Sequence, residues 1–573
     1  MSASSVENPD VLVVGGGPVG LTMACELWRH GVPCRIVDKA DAPQIWSKAA
    51  AVSARTMEVF QDMGLIDQVR ERGRPMYGVD VYAGEQRVAH VGIDIPGTPY
   101  PYIFGLSQRD TELLLAEHLT RLGGRFERGV ELVAFEQDEN AVQATLRHAD
   151  GREEQAIFSW LVGCDGARST VRRTLELPFE GSTFEQSVVQ ADIRAQFSWP
   201  VDANEAIMFL SDNGPLGFLP LLSEGRYRMI AMGVPDPEPE PPLALFHSLV
   251  AERAPAGTTV SDPAWRVSFR FHGRIVPSYR HGRVFLAGDA GHIHSPVGGQ
   301  GMNMGIQDAY NLAWKLALVL SGHGRPSLLD SYQPERWPVG RSTVDLTDRA
   351  SKNAIRFMTL RSPIAQALRN QAISFLFNSG MLVNRIFRGL GGMTIDYSAS
   401  PIVGDHHSSL WQAELGGARD HERPHVSDWY RFSKGPGAGE RVPDIELPVA
   451  HDGATTLFDL LRGTSHTLLL FDGAAATHEG YENLSTIAER VCRMYGERVR
   501  VHVVVPFDEP PEALRWRESV ILDADTSLHE HFGCGSEALY LIRPDEYIGF
   551  RCQPAVQERL EQYLQTILIA RED

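Results

Sequence analysis

At 573 residues, 43% of them hydrophobic, the chain can bury several cores, and roughly 150 residues per domain sets an expectation of about two to four domains. A formal net charge of −19 without a long Lys/Arg run argues against a nucleic-acid partner. Six scattered cysteines without a CxxC pair fit neither a disulfide framework nor a zinc ribbon, and the sequence shows no signal-peptide pattern and no 18-residue apolar run, so a cytoplasmic protein without a membrane partner is expected.

The first element is an apolar strand, Val11–Val14, which enters a glycine turn. Residues 21–30 read as a helix closed by Gly31, and residues 34–37 as a second strand ending at Asp38. Strand, glycine turn, helix and strand within about 30 residues make a βαβ unit. Helices are expected at 55–63, stopped by Gly64, and at 111–122, stopped by Gly123. Short apolar runs at 207–210, 217–222 and 227–232 read as antiparallel strands. A long helix is expected at 303–320 after a glycine-rich stretch. Residues 404–440, rich in Gly, Pro, His and charge, read as a linker, and 468–471, 499–505 and 539–542 as strands of a separate α/β unit.

Two segments carry chemistry. In the first turn Gly15, Gly17 and Gly20 surround Pro18 and Val19, and Asp38 with Lys39 follows at the end of the second strand. Such glycines permit a tight turn and close approach of backbone to a pyrophosphate, while the helix start supplies partial positive charge. Asp38 would accept hydrogen bonds from an unphosphorylated ribose, which suits FAD or NAD equally. In the second segment, 282–292, a strand delivers Gly288 and Asp289 to its tip, and Pro296, Gly298, Gly299, Gly301, Met302 and Asn303 lead into the long helix. A carboxylate beside free backbone N–H groups suits the ribityl chain and ring of a flavin, but it also suits a glycine-rich connection with a capping Asp. His281, His292 and His294 lack the Cys or acidic partners that would complete a metal site, and no metal is expected there.

Residues 288–317, together with Cys164, Asp165, Gly166, Arg168, Ser169, Val171 and Arg172, carry a resemblance that extends over the whole chain. It resembles the single-component FAD-dependent aromatic hydroxylases of the para-hydroxybenzoate hydroxylase type, especially the phenol hydroxylase and aromatic polyketide hydroxylase subgroup. The resemblance implies that Asp165 and Gly166 lie near the FAD pyrophosphate and that Gln108 and Arg109 contact the dinucleotide. Lys48 stands where the polyketide hydroxylases commonly carry Arg. Residues 48–53 lack the acid of the phenol hydroxylases, which weakens carry-over of a catalytic base and of simple phenol as substrate. From Arg441 to Tyr547 the chain is similar to the thioredoxin-like tail of that subgroup. Without CxxC the tail is expected to serve a structural or oligomerising role.

The implied fold is α/β: a Rossmann-like FAD-binding domain (1–182 and 281–403), an inserted antiparallel β-sheet substrate domain (183–280, with the strip 76–104 contributing), the linker 404–440 and a thioredoxin-like domain (441–573). The implied activity is hydroxylation of a phenolic or polycyclic aromatic substrate, including polyketide-derived ones, through a flavin C4a-hydroperoxide formed with O2 and NAD(P)H, NADPH being favoured. Pro296 is expected beside the flavin ring, and Tyr102, Tyr227 and His272 are the candidate substrate contacts. The alternatives are a Baeyer-Villiger or epoxidising oxygenase on the same scaffold, and a non-enzymatic FAD-binding redox sensor.

Overall fold

A computed structural model describes residues 9–43, 49–294, 299–358, 360, 362–377, 380–407, 426–473 and 478–571. The chain forms two compact units, one containing 33–310 and 336–394 with the N-terminal segment, the other containing 29–32, 311–335 and 395–573.

The first unit is built on the expected βαβ start. Val11–Val14 is wholly buried and pairs in parallel with Cys34–Asp38 on one side and Trp160–Gly163 on the other, and Val284–Leu286 and Phe126–Arg128 extend the sheet. Strands buried on both faces read as continuous apolar runs, which is why VLVV and WLVG sit at the centre. The helix after the glycine turn spans Pro18–Arg29, and the expected helices at 55–63 and 111–122 span Ala54–Asp62 and Gln108–Arg121. Both of the latter begin at a serine, Ser53 and Ser107, whose hydroxyl accepts from a backbone N–H one turn on.

An eight-stranded sheet, largely antiparallel, is built mainly from the residues between 164–172 and 282–292. Its spine is two 17-residue strands, Glu180–Gln196 and Thr259–Ile275, paired with each other, and Arg226–Val234, Leu216–Pro220 and Glu205–Leu210 continue it. Two strands that the sequence pattern did not announce, Gly78–Ala83 and Gln86–Gly92, close the far edge, the first running parallel to Glu205–Leu210. Side-chain alternation splits the sheet into two faces. On one, Val189, Ala191, Ile193, Phe209, Phe218, Tyr227 and Met229 form a core with Phe246, Leu249 and Val250 of the helix Leu243–Arg253. On the other, Val188 and Phe271 are buried while Ile230, Met232 and Phe269 stay half-exposed.

The second unit is a six-stranded mixed sheet between helical layers. His466–Phe471 and Val499–Val505 pair in parallel at its centre, with Ala538–Ile542 and Ile548–Gln553 antiparallel beside them. One face packs on His478–Tyr495 and Gln557–Ile567, and the other on Leu457–Leu461 and Ser527–Phe532. The stretch 404–440 differs from a plain linker. Gly404–His407 forms an edge strand on Ile548–Gln553, and Val426–Lys434 is helical. The boundary at 403 shifts as well, because Trp314, Leu318 and Leu328 belong to the core of this unit. There Glu335 is wholly buried between Arg543 and Lys315, at 2.7 and 2.6 Å. Burial alone would raise that carboxyl, but the two cations outweigh it and hold it well below its usual range.

Candidate active site

The glycine turn fits its surroundings too closely for any side chain. Gly15 has φ +110°, and a Cβ there would lie 2.4 Å from the Cys164 carbonyl oxygen, while a Cβ on Gly20 would lie 1.9 Å from the Gly15 oxygen. Gly17 is the opposite case, with nothing within 4 Å of the position a Cβ would take. The turn is thus packed hard on its inner side and open at the start of the helix, where Pro18 occupies the first position without needing its missing donor. Uncommitted N–H groups at such a helix start attract anionic groups. Asp38 Oδ2 accepts from Gly16 N at 2.6 Å and Oδ1 from Ala40 N at 2.8 Å, so the carboxylate fixes the turn and keeps its remaining lone pairs for a ligand. Lys39 is exposed next to it. Gln108 donates to Glu112 Oε1 at 2.9 Å, and burial pushes the Glu112 carboxyl up to about 6. Lys48 lies outside the described residues.

The other two motifs come up to this turn. Val19 packs into the gap left by Gly288 and Gly305, whose Cβ positions would fall 2.9 and 2.5 Å from its side chain. Asp289 stands exposed on the single helical turn Gly288–Ala290. Asp165 ends its strand by accepting from Thr170 N and Val171 N, at 2.6 and 3.1 Å, which is the capping role a bare strand end would have, and Gly166 follows with φ +77°. Arg172 then joins the motifs, donating to the Ala290 oxygen at 2.8 Å and to the Ala167 oxygen at 2.6 Å. The second motif is braced from behind by residues whose roles were not read from the sequence. Asp308 lies 2.8 Å from His292 Nε2 and 2.7 Å from Arg336 Nε, and it accepts from Gly288 N at 3.0 Å. Burial pushes the Asp308 carboxyl up, but Arg336 and His292 outweigh it and hold it below the ordinary value. The signal in the sequence was present only for His292.

Pro296 and Gly298 lie outside the described residues. Gly299 and Gly301 flank the start of the helix Gln300–Leu320, which begins three residues earlier than expected. Met302 is buried, and Asn303 ties this helix to the segment before Ala54–Asp62 by donating to the Ala51 and Gly299 oxygens and accepting from Ser53 N. The candidate substrate contacts separate. Tyr227 is 5% exposed and packs edge-on against Phe197 and Phe218, on the sheet face covered by Leu243–Arg253, so its place is in that core. His272 is half-buried against Thr183, 2.9 Å away, and Tyr102 is half-buried among Tyr77, Tyr100 and Phe104. The open face of the sheet instead presents Met208, Leu219, Ile230, Met232, Val267 and Phe269, all half-exposed, alongside the buried Arg228–Asp192 ion pair and Trp265 on the same face.

The chain matches the FAD binding domain family over residues 8–347 and the aromatic-ring hydroxylase C-terminal family over residues 435–570. It belongs to the FAD-dependent aromatic-ring hydroxylases. The hydroxylase is 34% identical to the 6-methylpretetramide 4-monooxygenase of Streptomyces rimosus, over 99% of this chain and 95% of that one. It is 30% identical to the pentachlorophenol 4-monooxygenase of Sphingobium chlorophenolicum, over 98% and 96%. The solved anhydrotetracycline hydroxylase OxyS, also of Streptomyces rimosus, superposes with a TM-score of 0.70 at 26% identity, covering 98% of this chain and 99% of that one. The family resemblance read from residues 288–317 and 164–172 therefore holds. The hydroxylase is a flavoprotein monooxygenase with FAD as cofactor and NAD(P)H as co-substrate. No described helix is long and apolar enough to cross a membrane.

Proposed function

We propose that this hydroxylase acts on a polycyclic, polyketide-type phenol. The observation that carries this reading is the half-exposed face of the eight-stranded sheet, where Met208, Leu219, Ile230, Met232, Val267 and Phe269 come from four strands. A single phenol ring covers a fraction of such a face, whereas fused rings bury against most of it, at about 25 cal/mol for each Å² of apolar surface removed from water. The name of the 6-methylpretetramide relative supports the same class. The open start of the helix Pro18–Arg29 and Gly166 would hold the FAD pyrophosphate, Asp38 would accept from a ribose, and Asp289 would accept from the ribityl chain. The open space at Gly17, the exposed Asp289 carboxylate and the free capacity of Asp38 fit that donor set. When bound, the flavin supplies the activation of O2 with electrons from NADPH. The chain's own part is to hold the substrate ring on the apolar face, exclude water there, and keep Gly288 and Asp289 in position through Arg172 and Asp308. The tail is assigned a structural or oligomerising role, and the absence of disulfides suits work in the cytoplasm.

The test is a panel of phenol, chlorophenols, naphthols, hydroxylated anthraquinones and tetracyclic phenols, scored by stimulated NADPH oxidation and by a product heavier by one oxygen atom. The expected result is a kcat/KM for the tetracyclic phenols at least tenfold above that for phenol. Equal values for phenol and the fused-ring compounds would overturn the substrate class, and ring-opened lactones would put a Baeyer-Villiger oxygenase in its place.

A further inference from the structure

We propose that Asp80, His90 and Glu205 bind one divalent transition-metal ion of the zinc class at the open edge of the eight-stranded sheet. The register brings them together. Asp80 and His90 are direct partners across the antiparallel pair Gly78–Ala83 and Gln86–Gly92, and Glu205 is the parallel partner of Gly78. Because 78 and 80 share a face, the three side chains rise from three neighbouring strands on one side of the sheet.

His90 Nδ1 lies 3.0 Å from Asp80 Oδ1 and 3.6 Å from Glu205 Oε2, and the three ligand atoms all lie within 4.8 Å of one another. Ligands held at about 2.0–2.2 Å from a tetrahedral ion stand roughly 3.3–3.6 Å apart, so the set is already close to coordinating separation. The residue beneath the cluster is Gly78. A Cβ there would sit 2.9 Å from the His90 ring and 3.1 Å from Glu205 Oε1, so its absence leaves room for the two side chains to converge. An imidazole with two carboxylates, completed by water, suits zinc, manganese or ferrous iron. A cation already within reach is Arg87, whose Nη1 is 3.3 Å from Asp80 Oδ1. An ion in this place would cross-link the hairpin Gly78–Gly92 to Glu205–Leu210.

The experiment uses the full-length, FAD-loaded protein without an affinity tag, titrated with Zn2+ by calorimetry and with Co2+ by absorbance beyond the flavin bands. The expected result is one ion per chain with micromolar affinity. His90→Ala and Glu205→Gln are each expected to weaken it at least tenfold with flavin content unchanged. Gly78→Ala, which keeps all three ligands but crowds them, should weaken it as well. Arg87→Gln, which removes the competing cation, should tighten it, and a His406→Ala/His407→Ala control should leave it unchanged. Failure to saturate at one ion, or affinity that survives both His90→Ala and Glu205→Gln, overturns the site.

Discussion

Asp472 ends the central strand His466–Phe471 of the C-terminal unit with its side chain only 3% exposed. Neither carboxylate oxygen has a partner in good hydrogen-bond geometry among the described residues, and Tyr481 supplies its weaker polar interaction. Burial raises its pKa from 3.8 to about 7, with Tyr481 opposing the rise. Between those two values the folded protein keeps a proton that the unfolded chain releases, so stability is full below pH 3.8 and is lost progressively until pH 7. At about 1.4 kcal/mol per pH unit, the loss is about 2 kcal/mol at pH 5 and about 4 kcal/mol at pH 8. Asp472→Asn removes the ionisable group and keeps its shape. It is therefore expected to stabilise the unit more at pH 8 than at pH 5, by roughly 2–3 kcal/mol. The assay is hydrogen exchange of the amides of His466–Phe471, variant against parent at each pH. Equal stabilisation at the two pH values would refute the argument, because it would mean that Asp472 is charged, and paired, in the folded state. Turnover is expected to be unchanged, since no redox chemistry is assigned to this unit.

Asp308→Ala removes the carboxylate paired with the wholly buried Arg336, and breaking such a pair costs about 3–5 kcal/mol; the expected readout is a lower melting temperature and a reduced flavin-to-protein absorbance ratio. Asp289→Ala removes one exposed charged acceptor and is expected to weaken FAD binding to the apoprotein by about 1.5–3 kcal/mol without lowering apoprotein stability; calorimetry showing parental affinity would move the ribityl contact elsewhere. Gly17→Ala and Gly20→Ala should part company: the first folds normally and loses FAD affinity, whereas the second collides with the Gly15 carbonyl and lowers the melting temperature of the apoprotein. Replacing Cys492, Cys534 and Cys552 together by Ser is expected to leave NADPH oxidation and coupled product formation intact, because burial raises all three thiols and no CxxC pair exists.

What could be read in advance follows the range of the interactions. Gly15, Gly17, Gly20 and Asp38 are legible because the turn and its acid lie within one βαβ unit, and local chemistry dictates both. Asp308 and Arg336 act on Gly288 from 20 and 48 positions downstream, inside helices whose pattern reports only burial. Tyr227 shows the limit of strand periodicity. Alternation tells which residues share a face, but not that Leu243–Arg253 covers that face. The strand Gly404–His407 was hidden by its own composition, since an edge strand with three exposed side chains needs no apolar alternation to join Ile548–Gln553. The pairing of Gly78–Ala83 with Glu205–Leu210 joins segments more than a hundred residues apart, and no local signal announces it.

The two long strands that form the spine of the eight-stranded sheet carry a consequence for recombining such enzymes. Between Glu180 and Ile275 the chain lays down five consecutive strands of the sheet, and these two residues are cross-strand partners. A segment whose ends are neighbours can be exchanged between homologues without stretching the scaffold that receives it, so 180–275 has the geometry of a cassette. It is an incomplete one. The hairpin Gly78–Gly92 supplies the last two strands from the other side of the junction, and a transplant without it would expose the edge Glu205–Leu210 to pairing with other chains. A graft that changes the sheet while preserving flavin binding has to carry both pieces.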